Sequence, residues 1–267
     1  MDTRADEELL RAVRNGDREA TEALLVRHGP MVLRFARSMC SNPTDAEDVA
    51  QEALIAAARA LTEVREDAAL GSWLYAVTRS FCGKSRRRRK GQPQETTPVV
   101  PEGPSQLQGG EGDPEGAASG RELAAALQLA IRALDPKLRA VVLLRDMEGL
   151  SAPEVAEALG LEIATVKTRL HRGRAAIRAR IAPLLAPSPE RQASCPEVVG
   201  LFSRYLEGEI GPAECERMHA HVAQCPSCNG ACASLRRSVS LCHELGAAST
   251  PADVQDRVRE ALRVVIG

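Results

Sequence analysis

The side chains best suited to metal or redox chemistry are concentrated in the last third of the chain. Residues 221–232 read HVAQCPSCNGAC, and six of the eight cysteines follow residue 194. Cysteine and histidine at such close spacing have two uses. The thiols can pair as disulfides in an exported domain, or they can bind a metal ion or sense oxidants. The choice depends on the compartment of the protein and on the rest of its sequence.

The start of the sequence decides between these uses. MDTRADEELLRAV (1–13) is acidic and lacks the apolar core of a secretory signal. No apolar run approaches the roughly 18 residues of a transmembrane helix. We therefore expect a cytoplasmic protein with no membrane partner. Thiols stay reduced in that compartment, so clustered Cys and His favour a metal or thiol sensor over a disulfide framework.

The composition favours helices and the charge distribution favours nucleic acid. Aromatic residues make up 2% of the chain, so the core has to be built from Leu, Val, Ile and Ala. The net charge is only −1, but residues 86–90 form an unbroken basic run. Residues 163–180 hold six Lys or Arg and no acid. Local basic stripes on a neutral chain indicate nucleic acid better than a membrane.

Two breaks divide the sequence. Residues 91–120 contain twelve Gly or Pro and no Lys or Arg, a composition that predicts a flexible linker. A shorter break reads PLLAPSP (183–189). The predicted folded segments are 1–90, 121–183 and 194–246, followed by an amphipathic helix over 250–267.

The first segment contains a well-marked helix. Thr44 and Glu47 have capping-box spacing, and an apolar stripe follows between Val49 and Leu61. Its acidic and amide side chains lie on another face. Taken alone, this pattern describes an ordinary surface helix.

The second segment predicts a helix-turn-helix. Ser151 and Glu154 again have capping-box spacing, and Gly160 ends the first helix. A glycine suits the turn because it can take a positive φ. The second helix starts near Ile163 and contains no acidic residue. This suits a helix that enters the DNA major groove, because such a helix has phosphates on both sides.

Together these blocks resemble a bacterial sigma-70 family factor of the extracytoplasmic-function (ECF) group. DAEDVAQEALIAAARAL (45–61) is similar to the region 2 helix that docks on the clamp helices of RNA polymerase. GSWLYAVTRSFCGKSRRRRK (71–90) is similar to the segment that binds the −10 element. Residues 134–178 are similar to region 4, which reads the −35 element. The resemblance implies an all-α protein with two sigma domains and a linker.

The same resemblance implies functional residues and partners, which are RNA polymerase core enzyme and promoter DNA. The implied polymerase-binding residues are Asp45, Asp48, Gln51 and Glu52. The implied DNA-binding residues are Arg79, Lys84, Arg86 and Arg87 in region 2, and Thr165, Lys167, Thr168, Arg169, His171 and Arg172 in region 4.

The tail resembles the zinc-binding anti-sigma fold, here fused to the sigma factor. The matching features are an upstream cysteine, YLEGEI (205–210) and the spacing HxxxCxxC. The implied metal ligands are Cys195, His221, Cys225 and Cys228. Three thiolates and one imidazole make a closed tetrahedral site suited to Zn²⁺, which leaves no open position for catalysis. We expect no enzyme activity.

More cysteines are present than one zinc ion needs. Cys215 and Cys232 are possible additional ligands, and surplus soft ligands also suit Cu or Cd as the regulatory ion. The arrangement resembles the CorE-like ECF factors, which implies sigma activity that responds to metal. The alternative is a thiol-redox zinc switch in the same domain. Either switch is expected to act through an intramolecular contact between the tail and the sigma domains.

Overall fold

The protein is described from a computed structural model that covers residues 4–40, 42–64, 70–88, 114–185, 195–247 and residue 260. Every regular element in these ranges is helical, which confirms the predicted all-α class. The α-helices are α1 (Asp6–Arg14), α2 (Arg18–Met39), α3 (Pro43–Ala60), α4 (Leu70–Arg88), α5 (Pro114–Arg132), α6 (Pro136–Val142), α7 (Ala152–Leu159), α8 (Ile163–Ile181), α9 (Val198–Leu206), α10 (Pro212–Gln224) and α11 (Pro226–Ala247). Among the described helices, none combines the length and the apolar character needed to span a bilayer.

Two helix starts differ from the prediction, and proline is the reason in both cases. The cap of α3 is Asn42, whose side chain accepts a hydrogen bond from the Thr44 amide at 2.9 Å, rather than Thr44 itself. Pro43 occupies the first turn, where its missing N–H costs nothing. Helix α5 begins at Pro114 for the same reason, so the predicted linker 91–120 was wrong for its last residues. Residues 91–113 and nearly all of the predicted helix 250–267 lie outside the described residues.

The chain divides into two compact units. Unit 1 comprises Met1–Val99, Pro153–Leu161 and Ser249–Gly267, and unit 2 comprises Val100–Ala152 and Glu162–Ala248. The cysteine-rich helices α9 to α11 therefore share a unit with α5, α6 and α8.

Unit 1 has a core of small and aliphatic side chains supplied by α1 to α4. The few aromatic residues are used centrally: Phe35 of α2 meets Tyr75 of α4 edge to face, with ring centroids 5.1 Å apart, and both are buried. Cys82 of α4 belongs to the same core. This packing fixes the exposed sides of α3 and α4.

Unit 2 is held together by close helix contacts. A Cβ atom at Gly173 of α8 would lie 2.5 Å from a methyl group of Val142, so glycine lets α8 approach α6. Residues Leu143–Met147 form a π-helical turn after α6. Helix α11 packs along α5, α8 and this turn. A Cβ atom at Gly246 would overlap the Met147 carbonyl, so the end of α11 requires glycine there.

Candidate metal centre and nucleic-acid interface

The four predicted metal ligands come together in unit 2. The ligand atoms of Cys195, His221, Cys225 and Cys228 all lie within 4.8 Å of one another. The sulfurs of Cys195 and Cys225 are 3.7 Å apart, and His221 Nε2 is 3.2 Å from the Cys228 sulfur. Two sulfurs bound tetrahedrally to Zn²⁺ at ~2.3 Å are about 3.8 Å apart. The donor types and their spacing therefore fit one tetrahedral Zn²⁺ ion.

Local chain geometry presents three of these ligands. His221 lies in the last turn of α10, and Cys225 is the residue at which that helix ends, with its amide bonded to the His221 carbonyl at 3.0 Å. Pro226 then starts α11 at once and places Cys228 in its first turn. Cys195 approaches from the segment before α9, so the fourth ligand depends on tertiary packing.

The protein environment shifts the pKa values of Cys225 and Cys228 in opposite directions. The backbone amide of Cys228 lowers the pKa of Cys225 by hydrogen bonding, with smaller contributions from the Cys195 thiol and other neighbours. Burial raises the pKa of Cys228 to about 12. An ion that binds here has to displace the proton of Cys228, as structural zinc sites do with their thiols.

The surplus cysteines do not join this group in the described part of the chain. Cys215 is half-buried on α10. Cys232 is buried in the core of the tail, and burial raises its pKa to about 11. Cys242 is also buried, and burial raises its pKa well above the usual range. Cys232 and Cys242 serve as core side chains.

The predicted −35 residues lie along α8 in two different settings. Thr168 and Arg172 are exposed, and Thr165 and Arg169 are partly exposed. Lys167 and His171 instead face Glu209: Lys167 Nζ is 3.4 Å from one carboxylate oxygen, and His171 Nε2 is 3.0 Å from the other. The opposite ring nitrogen of His171 lies 2.8 Å from the Ser203 hydroxyl.

Glu209 belongs to an acidic turn, which we define as Glu207, Gly208 and Glu209. The turn follows α9, and Gly208 takes the left-handed φ of 67°. Glu207 accepts hydrogen bonds from Arg174 at 2.8 Å and from Arg145 at 2.9 Å. The two carboxylates therefore meet four cationic or titratable side chains on α8 and the π-helical turn.

The centre of this contact is a buried ion pair. Arg174 is 4% exposed and is held by Asp146, which is 1% exposed, at distances down to 2.5 Å. Burial acts to lower the pKa of Arg174, but Asp146 and Glu207 outweigh it and raise the pKa. Burial also acts to raise the pKa of Glu207, and the charges of Arg174 and Arg145 outweigh it, so Glu207 stays ionised. Charges this deeply buried require partners.

Sequence reasoning missed the role of the acidic turn. The stretch YLEGEI was noted only as part of a resemblance. The sequence signal for the contact is a pair of acids on either side of a glycine, because their charge is complementary to α8, a basic helix without acidic residues. Nothing local connects the two segments, which lie about 40 residues apart.

The predicted polymerase-binding residues of α3 differ in how deeply they are buried. Asp48 and Gln51 are exposed on α3, and Glu52 is half-exposed with Arg88 at 3.4 Å. Asp45 is 7% exposed and packs into the protein, so it cannot contribute to a polymerase-facing surface. Its assignment to that surface was wrong, because its position one turn before Val49 turns it towards the core.

The predicted −10 residues lie near the end of α4. Lys84 is exposed, with its ammonium 4.6 Å from the centre of the Phe81 ring, and Arg87 is exposed. Arg79 donates a hydrogen bond to the Leu159 carbonyl at 3.0 Å. The side chain of Arg86 lies outside the described residues.

Comparison with protein families identifies three matching segments. Residues 24–92 match sigma-70 region 2, residues 124–177 match sigma-70 region 4, and residues 195–229 match a putative zinc-finger family. The last segment contains all four grouped ligands.

Individual sigma factors match about two thirds of this chain. The chain is 36% identical over 187 residues to ECF RNA polymerase sigma factor SigM of Mycobacterium tuberculosis, which spans 68% of this chain and 85% of SigM. It is 31% identical to RNA polymerase sigma-H factor of Pseudomonas aeruginosa, covering 67% of this chain and 95% of that factor. A solved structure of sigma factor RpoE with anti-sigma factor NepR from Bartonella quintana covers 60% of this chain and 95% of its own, with a TM-score of 0.50 and 21% identity. That likeness concerns the fold.

Proposed function

The chain belongs to the ECF group of RNA polymerase sigma factors, and we propose that it directs promoter-specific transcription initiation under the control of a metal bound in its C-terminal domain. Sigma factors are initiation factors rather than enzymes. The observation that carries the metal half of the proposal is the four-ligand group of Cys195, His221, Cys225 and Cys228. The cytoplasm is the compartment where such a factor would meet the polymerase.

The polymerase contact is proposed for the exposed side of α3. Asp48 and Gln51 are exposed there, Glu52 is half-exposed, and the opposite side of the helix is packed into the core of unit 1. An acidic surface held by a rigid helix suits basic groups on a partner. Asp48 is the cleanest member, because Glu52 already has Arg88 beside it.

Replacing Asp48 with arginine should weaken binding to core polymerase several-fold and lower run-off transcription in proportion. The reversed charge opposes the basic partner, and an exposed position should change the free energy of unfolding by less than ~0.5 kcal/mol. Core binding and run-off output measure the effect. Glu19→Lys is the matched control, an exposed acid at the start of α2. Equal core binding by D48R and E19K would contradict the proposed surface.

The DNA contacts are proposed on two helices. Lys84 and Arg87 of α4 are exposed and basic, as a segment that meets the −10 element requires. Arg172 of α8 is exposed, and Arg169 and Thr168 accompany it, as a −35 recognition helix requires. Phosphate contacts by such residues set affinity, whereas base contacts set specificity.

Arg172→Ala should lower affinity for promoter and unrelated DNA alike. Loss of one phosphate contact should reduce the slope of log affinity against log salt by about one unit. Binding isotherms at several salt concentrations measure the slope. Arg217→Ala, on the exposed side of α10, is the control and should leave the slope unchanged. An unchanged slope in R172A would remove Arg172 from the interface.

Zinc is the ion that the donor set supports best. Cys195, Cys225 and Cys228 would supply thiolates and His221 an imidazole nitrogen, a set that closes a tetrahedral site. When bound, the ion would serve as a structural crosslink between the segment before α9, the end of α10 and the start of α11. The finer assignment to Zn²⁺, Cu or Cd as the regulatory ion stays a proposal.

We place the regulation in the contact of the tail with region 4. Glu209 of the acidic turn lies against Lys167 and His171, which are two of the proposed −35 contacts. A DNA phosphate would need the same two side chains, so the turn and the promoter compete for them. Arg178 of α8 also donates a hydrogen bond to Ser234 of α11 at 2.8 Å, which supports the same contact between the tail and α8.

Helix α11 supplies a physical link from the metal ligands to that contact. Cys228 lies in its first turn, while Cys242 and Gly246 lie in its last turns against the π-helical turn. At ~1.5 Å per residue, its 22 residues span about 33 Å. Metal binding at one end therefore sets the orientation of the whole helix. A ligand shifts such an equilibrium only through different affinity for the two states.

A redox form of control has one supporting observation. The sulfurs of Cys195 and Cys225 lie 3.7 Å apart, so removal of the ion would leave two thiols positioned to form a disulfide. Metal titration and peroxide treatment of the purified protein distinguish these alternatives. Metal control predicts a response to added metal in the presence of reductant, and redox control predicts a response to peroxide that reductant reverses.

A further inference from the structure

A second pair of thiols lies in unit 1, in the part of the chain that resembles region 2. The sulfurs of Cys40 and Cys82 are 3.6 Å apart, although 42 residues separate them along the sequence. Neither belongs to the metal ligand group. Cys82 belongs to the core of unit 1, and Cys40 packs against that core.

The two thiols differ in exposure and in backbone setting. Cys82 is 7% exposed in the interior of α4, whereas Cys40 is half-buried and ends α2 with extended backbone angles, φ −86° and ψ 152°. A residue just beyond a helix end is less restrained than one in its middle. Its side chain can rotate to bring the sulfurs from 3.6 Å towards the ~2.05 Å of a disulfide.

We propose that Cys40 and Cys82 form a reversible disulfide when the protein meets a hydroperoxide. Cys40, the more exposed thiol, attacks one peroxide oxygen as its thiolate. The O–O bond breaks, and the products are a Cys40 sulfenic acid and, for hydrogen peroxide, one water. Cys82 then attacks the sulfenic sulfur, the S–O bond breaks, and a second water leaves. The two thiols lose two electrons and two protons, and the peroxide gains them.

This bond would tie the end of α2 to α4, the helix that carries the proposed −10 contacts. The loop that it closes contains all of α3, with the proposed polymerase contacts Asp48 and Gln51, and the first part of α4. A crosslink across a loop of this length removes conformational freedom chiefly from the unfolded chain. Oxidation therefore makes region 2 harder to unfold and holds α4 against the end of α2. The proposal is independent of metal control by the tail.

The test uses the full-length protein loaded with zinc and treated with hydrogen peroxide. Trypsin digestion without reductant should give one new species that joins peptides 38–59 and 80–84, with the summed mass less two hydrogens. Dithiothreitol should remove this species. Cys40→Ser should lack it, while Cys215→Ser, which changes another half-buried cysteine, should retain it.

Stability provides a second readout. Peroxide should raise the Tm of region 2 on the order of 10 °C in the wild-type chain, from the loop closure and the size of the segment. Cys40→Ser and Cys82→Ala should show no such rise, with circular dichroism checking that both variants are folded. Absence of the joined peptides at a peroxide dose that already oxidises Cys40, or joining of Cys40 to a metal ligand instead, overturns the proposal.

Discussion

Cys225→Ser is expected to lower the affinity of the tail for zinc by more than about 100-fold and to loosen residues 195–247. A serine hydroxyl does not replace a thiolate on Zn²⁺, and loss of outer partners of a ligand alone costs 10–100-fold. The tail has a small core around Phe202, Met218 and Leu235. Domains of this size seldom fold on their core alone, so the ion should supply much of their stability.

Two measurements check this result. Competition with a chromophoric chelator gives the zinc affinity, and limited proteolysis reports whether the tail has loosened. Cys215→Ser is the matched control, because Cys215 lies on α10 outside the ligand group. It should keep wild-type affinity and protease resistance. If the Cys225 variant retained one zinc ion at wild-type affinity, the assigned ligand set would be wrong.

Removal of the tail after Pro187 is expected to raise affinity for −35 DNA on the order of tenfold or more and to make transcription independent of metal. In the full chain, only molecules whose recognition helix is open bind DNA. The apparent DNA affinity is therefore the intrinsic affinity multiplied by the open fraction. Truncation removes Glu207 and Glu209 together with α11, so Lys167 and His171 become available to phosphate. DNA binding and run-off transcription with and without zinc measure both effects.

A finer variant separates charge from bulk. The double change Glu207→Gln and Glu209→Gln keeps the turn and the metal ligands but removes its two charges. It should recover a substantial part of the gain in DNA affinity, about tenfold or ~1.4 kcal/mol. Glu216→Gln, an exposed acid on α10, is the control. A truncated chain that still responded to zinc would place the switch outside the tail.

Much of the site could be read from local sequence because its geometry is local. His221, Cys225 and Cys228 lie within eight residues, and a helix end followed by Pro226 leaves few ways to arrange them. The helices themselves follow from apolar periodicity and capping residues, so the all-α class and the order of the domains were predicted. The family was recognisable for the same reason, since its motifs are contiguous helices.

Predictions failed where a side chain's environment comes from another segment. Asp45 carries a charged side chain that is expected at the surface, but the packing of α3 buries it. The burial of Cys242 near Asp146 and Arg174 likewise depends on how α11 packs. Periodicity gives the faces of a helix but not how far a neighbouring helix extends over them.

The sequence by itself predicted the helical class, the two sigma segments and all four candidate metal ligands, three of which are closely spaced along the chain. Only the tertiary structure decided that the acidic turn lies on Lys167 and His171, and that Cys40 meets Cys82. Spacing along a helix is set by fixed backbone geometry, so short-range patterns carry it directly. Contacts across 30 to 60 residues depend instead on how whole helices pack, which is set by the summed burial of many side chains and by close approaches such as those at Gly173 and Gly246.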